Sequence, residues 1–80
     1  MTRVRLLVAT GCHLCPAAVA TVTTACASRG LVPEIVDIDG VLDLERRYRS
    51  AIPVVEVDGR EVGRFVIDAH GLAQALDAAS

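Results

Sequence analysis

GCHLCPAA, residues 11–18, sets two cysteines three apart around a histidine and follows the second with a proline. Three chemistries share that spacing: half of a metal site, a short structural staple, and a working redox pair. A staple is a weak use of it, because chain entropy gives a four-residue loop about 2 kcal/mol, against about 3 for fifteen residues. Zinc generally wants four ligands, commonly from paired Cys-x-x-Cys or His-x-His units. Only one such pair is present here. Cys26 lies about 16 Å farther along the same predicted helix, and His70 reaches the pair only through tertiary folding. Haem attachment needs a histidine where Pro16 stands. Metal and redox readings both remain open at this level.

The flanking sequence places the pair. RVRLLVAT (residues 3–10) is apolar with little alternation, the pattern of a strand covered on both faces. Gly11 interrupts it. From about residue 12 to Ser28, Leu14, Ala18, Val22 and Ala25 recur at helical steps, and Arg29-Gly30 supplies a basic last turn and a glycine stop. LVPEIVDID (31–39) reads as a second strand with Pro33 near its start. GVLDLERRYR (40–49) reads as a short helix with Asp43–Arg47 and Glu45–Arg49 as i,i+4 pairs. IPVVEVDGREVGRFVI (52–67) is a hairpin around Asp58-Gly59. Asp68 can then cap a last helix carrying Leu72, Ala75, Leu76 and Ala79. The order is β-α-β-α-β-β-α, with a parallel first pair and antiparallel additions.

Composition narrows the partners. The chain has 80 residues, 52% hydrophobic and 22% charged, with net charge −2. That is globular, and its length suits one domain over residues 1–80. The eight basic residues are all arginines and form no basic run, and Tyr48 and Phe65 are the only Phe, Trp or Tyr residues. Nucleic acid is not an expected partner. No apolar run approaches the roughly 18 residues of a membrane span. Arg3, Arg5 and LLVAT followed by Ala25-Cys26-Ala27 resemble a secretion signal, but Gly11, Cys12, His13 and Pro16 interrupt the apolar stretch. A cytoplasmic monomer is the expectation. In that reducing compartment cysteines are usually free, metal-bound or catalytic, and the odd count of three argues against a disulfide framework.

A helix N-terminus beside Cys12 favours its thiolate, the nucleophilic form. Residues i and i+3 are neighbours on a helix, near enough to open and close a disulfide with little backbone movement. Cys12 is then the exposed attacker and Cys15 the resolving thiol. His13 adds a potential positive charge beside Cys12. Cys26 shares a helical face with Cys15 and Val22 and reads as buried and inert, while His70 reads as a surface residue. Pro16 suits a first helical turn but disfavours helical geometry at Cys15, so the regular helix can begin a turn later. A single Cys-x-x-Cys in an early β-α unit reads as a thioredoxin-like redox motif.

Taken together, the strand, GCHLCP, helix, strand, short helix, AIPVVEVDG, hairpin and terminal helix resemble the glutaredoxin-like branch of the thioredoxin-fold superfamily. The resemblance covers essentially the whole chain. It implies an α/β thioredoxin fold in its compact glutaredoxin-like form, with a four-stranded mixed sheet. It also implies that Ile52-Pro53 is cis and lies against the cysteine pair, with the Ile52 backbone bonding a bound thiol peptide. Glutathione-dependent relatives carry a basic residue before the first cysteine, an aromatic between the cysteines, and Gly-Gly-x-Asp before the last helix. Here those places hold Val8-Ala9-Thr10, His13-Leu14 and Phe65-Val66-Ile67-Asp68, leaving Arg64 and Asp68 as the remaining candidates for a glutathione contact.

The expected function is thiol–disulfide exchange. Cys12 and Cys15 are its catalytic residues, and His13, Ile52 and Pro53 meet the substrate. The substrate is a disulfide-bearing protein or a low-molecular-weight thiol. No cofactor is expected beyond the Cys12–Cys15 couple, and an external thiol or thiol reductase is the electron donor. The alternatives are a thioredoxin-fold binding module with a regulatory or vestigial pair, and transient metal binding by the two cysteines.

Overall fold

β1 (Val4–Val8) is the strand on which the rest assembles. Its side chains alternate between two apolar layers, and both Leu6 and Leu7 are fully buried. The doubly covered reading of RVRLLVAT is therefore correct. In the computed structural model, which describes residues 2–79, β1 is followed by α1 (Cys15–Ala27), β2 (Glu34–Asp37), α2 (Leu42–Tyr48), β3 (Val54–Val57), β4 (Arg60–Arg64) and α3 (Ala69–Ala79). The sheet order is β2-β1-β3-β4. β1 and β2 run parallel, and the β1–β3 and β3–β4 pairs are antiparallel.

One face of the sheet takes α1 and α3. Val4, Leu6, Val55 and Val57 meet Ala18, Val22 and Cys26 of α1 and Leu72 and Leu76 of α3. The other face takes α2, where Leu7, Val54, Ile38 and Tyr48 form a smaller cluster with Ala51. Glu56 points into that second side and is only 7% exposed. Such a charge needs partners: it accepts from Arg5 Nε at 2.9 Å and from the Tyr48 hydroxyl at 3.3 Å.

The element boundaries carry local chemistry. α1 begins at Cys15 rather than residue 12. Pro16 sits in its first turn and has no N–H to return to Cys12, whose carbonyl instead accepts the Cys15 N–H. The helix ends at Ala27, and Gly30, with φ +69°, turns the chain away. Arg29 lies past the last turn, where it bonds the Ala25 carbonyl and pairs with Asp77. β2 is shorter than 31–39: Pro33 holds back its start and Val32 is 91% exposed. In α2 the Glu45–Arg49 pair forms at 2.6 Å. The expected Asp43–Arg47 pair does not, because Arg47 lies over the Tyr48 ring at 5.1 Å. Asp58 and Gly59 both have positive φ, as a two-residue hairpin turn requires. Asp68 caps α3 by accepting the Gly71 N–H at 2.9 Å. No described helix is long and apolar enough to cross a membrane.

Candidate redox site

The parallel pairing of β1 and β2 sends both strands out of the sheet at one end. Four segments meet there: the turn after β1, the residues after β2, the entry to β3 and the exit from β4. The register Leu7↔Val54 puts Ile52 and Pro53, just before β3, at the end where Ala9 to Cys12 leave β1. β4 runs antiparallel to β3, so Phe65 emerges there as well.

The cysteine turn is built from the backbone upward. Gly11 adopts φ +79°, which a side chain would resist. The Cys12 N–H then donates to the Ala9 carbonyl, and the Cys15 N–H to the Cys12 carbonyl, both at 3.4 Å. Cys12 and Cys15 form a disulfide with Cα atoms 5.4 Å apart, inside the usual range. Cys12 is half-buried; Cys15, at the first position of α1, is 6% exposed. Cys12 is thus the more accessible residue of the pair. Cys12 lies in the turn before the helix rather than on it, and no side chain caps the α1 N-terminus. The positive end of a 13-residue helix adjoins the pair without a competing capping group. His13 is exposed within the same turn.

Across from it, the Ile52-Pro53 peptide bond is cis and Pro53 is fully buried. The Pro53 carbonyl accepts the Phe65 N–H at 2.9 Å, which ties the β4 exit to the β3 entry. The Ile52 N–H is engaged by the Tyr48 carbonyl at 3.1 Å. Its carbonyl is left as the one backbone group of Ile52 without a partner among the described residues. Arg64 is closed by Glu61 through two bonds of 2.6 and 2.8 Å, and Asp68 is occupied as the α3 cap.

One residue of the site carries no signal in the sequence. Asp39, just past β2, accepts the Thr10 N–H at 2.9 Å and so tethers the cysteine turn to the neighbouring strand. That N–H, with the Thr10 side chain, holds the Asp39 carboxyl below its ordinary value. A depressed carboxylate contributes stability above its unfolded pKa of about 3.9 and loses it as pH falls through the lower folded value. Asp39→Ala is therefore expected to lower the thermal midpoint at pH 7. The gap to the parent protein should narrow as pH falls below the unfolded value and through the lower folded one. Equal midpoints at pH 7 would show that the tether contributes nothing.

Cys26 is fully buried on α1. Burial pushes its thiol pKa up, and the Arg29 charge offsets only part of that. In reduced, folded protein at neutral pH, an alkylating reagent is expected to label Cys12 first and to spare Cys26 until unfolding, as counted by mass spectrometry. Labelling of Cys26 at the rate of Cys12 would contradict its burial.

Among the described residues, no group of three or more His, Cys, Asp or Glu side chains converges as a metal site. An open groove of about 900 Å³ lined by Arg5, Arg47, Tyr48 and Glu56 lies at the opposite end of β1 from the cysteines.

Known proteins agree with this architecture. The sequence profile described as a glutaredoxin-like domain matches residues 3–77. A structural-genomics target protein from X. campestris has a solved structure 35% identical to this chain. It superposes with TM-score 0.79, covering 96% of this chain and 99% of that one. A Nitrosomonas europaea protein, 22% identical, reaches 0.78 over 92% and 89% of the two chains. The germline-specific thioredoxin Deadhead of Drosophila melanogaster is 25% identical, with TM-score 0.65 over 99% and 81%. No curated protein matches the sequence. The four-stranded mixed sheet with three helices is a thioredoxin fold, and the chain belongs to the glutaredoxin-like domain family.

Proposed function

We propose that the protein is a thiol–disulfide oxidoreductase in which Cys12 attacks and Cys15 resolves. The observation that carries this reading is the asymmetric pair at the mouth of α1: a closed disulfide with Cys12 half-buried and Cys15 buried. In the reduced protein the Cys12 thiolate attacks one sulfur of a substrate disulfide. A Cys12–substrate bond forms, the substrate S–S bond breaks, and the departing sulfur takes up a proton. The Cys15 thiolate then attacks the Cys12 sulfur, closing the intramolecular disulfide and releasing the second substrate thiol. An external thiol or thiol reductase is oxidised as it returns two electrons and two protons, so the protein's own part in the cycle is carried by the cysteine pair alternating between dithiol and disulfide.

His13 and Ile52, the latter joined by its cis bond to the buried Pro53, form the substrate side of the pair. His13 adds its imidazole next to the attacking sulfur. Ile52 offers its carbonyl to an extended peptide, while its N–H stays with Tyr48. The bond from the Ile52 backbone to a bound thiol peptide is assigned to that carbonyl. The protein works as a monomer in the reducing cytoplasm, contributing to cellular redox balance.

The test is turnover of a model disulfide with glutathione and with a thioredoxin reductase system supplied in turn. Turnover with at least one donor is expected. No turnover with either, together with a Cys12→Ser protein that still binds partners, would replace the enzyme with a binding module.

A further inference from the structure

Phe65 has φ +64°, a left-handed conformation that is a genuine outlier for a bulky residue. A glycine would take this position without strain. The Phe65 side chain is 45% exposed and belongs to neither core cluster. Strained residues of this kind gather at functional sites, and this one is fixed to the Pro53 carbonyl at the redox end of the sheet. Val66, beside it, is 76% exposed, and Leu14, between the two cysteines, is 40% exposed. Exposed apolar groups therefore stand both within the cysteine turn and at the β4 exit, at the same end of the sheet.

The charges at the same end have one dominant sign. Asp39 holds the cysteine turn and Asp68 begins α3, both exposed. Arg64, at the β4 exit, is held by Glu61, and Arg49, whose charge acts on Asp39, is held by Glu45. A small thiol bearing two carboxylates, such as glutathione, finds like charge and no free guanidinium there. An extended polypeptide with an apolar residue beside its cysteine finds three apolar groups and the open Ile52 carbonyl.

We propose that the site selects polypeptide disulfides with an apolar residue flanking the attacked cysteine, and that Phe65 is the specificity-determining residue. The inference rests on the thiol–disulfide exchange proposed above and uses the same step. The Cys12 sulfur bonds to the peptide sulfur, the peptide S–S bond breaks, and its second sulfur leaves with a proton. What Phe65 adds is the choice of partner.

The test uses pre-reduced protein in single turnover, which needs no donor. Second-order rate constants are measured for peptides with one intrachain disulfide and Leu, Gly or Glu beside the cysteine, for glutathione disulfide, and for a small uncharged disulfide. The expected order is Leu over Gly over Glu, with Leu at least about tenfold ahead of both Glu and glutathione disulfide. In Phe65→Gly the Leu-to-Gly ratio should fall towards one. Val66→Ser, which leaves the backbone at residue 65 unchanged, should reduce the ratio in the same direction. Reduction of the small disulfide without flank preference, or a ratio unchanged in both variants, would overturn this inference and leave the oxidoreductase reading standing. Failure to reduce any disulfide would overturn both.

Discussion

Cys12→Ser is expected to reduce disulfide turnover to the uncatalysed background, a loss of at least about 10³-fold, as for removal of a nucleophile elsewhere. Serine is not ionised near neutral pH and cannot reproduce a thiolate. No other described sulfur substitutes for it: Cys15 is 6% exposed and Cys26 is fully buried. Cys15→Ser should behave differently. Attack by Cys12 survives, resolution is lost, and the protein should accumulate as a mixed disulfide whose mass maps to Cys12. Neither change should unfold the protein, because closing a four-residue loop contributes only about 2 kcal/mol to the oxidised form. A mixed disulfide that accumulates on Cys15 in the Cys12→Ser protein, and none on Cys12 in the Cys15→Ser protein, would reverse the assignment of the nucleophile.

The largest loss of stability is expected from Leu6→Ala. Leu6 is fully buried at the centre of β1, an interior strand, and packs in the layer shared with α1 and α3. Removing a buried leucine to alanine costs about 2–5 kcal/mol, from lost burial and the cavity left behind. An 80-residue domain has about 4–12 kcal/mol in total, so this single change removes a large part of it. The thermal midpoint should fall by at least about 10 °C, given about 4–8 °C per kcal/mol for a domain of this size. Val32→Ala is the control, since Val32 is 91% exposed and its loss should stay within about 0.5 kcal/mol. A Leu6→Ala effect no larger than the control would refute the core described above.

What the sequence revealed follows the range over which each signal acts. β1 was legible because its apolar run is continuous, and the hairpin because Asp58-Gly59 can satisfy two positive φ angles. The cysteine pair was legible from spacing and from its place after a strand. Helical periodicity alone puts the α1 start near residue 12, Pro16 allows a start one turn later, and the helix begins at Cys15. Other features depend on contacts between distant segments. Glu56 reads as a surface carboxylate until Arg5 and Tyr48 close over it. Asp39 becomes part of the site only because β2 ends beside Thr10. Phe65 was read as strand, since nothing local marks a phenylalanine for left-handed backbone. That the Ile52 N–H is taken by the Tyr48 carbonyl is likewise illegible in the sequence, because the contact arises where α2 meets β3.

The central claim is that Cys12 and Cys15 form a reversible two-electron couple. Its most direct test is a redox titration of the Cys12–Cys15 pair in thiol buffers of graded potential, with free thiols alkylated and counted by mass. One transition between dithiol and disulfide is expected, with two electrons transferred, and a midpoint within the roughly −120 to −270 mV spanned by thioredoxin-fold oxidoreductases. Cys26 should stay reduced throughout. A pair that remains wholly reduced or wholly oxidised across that window, or a transition that consumes Cys26, would contradict it.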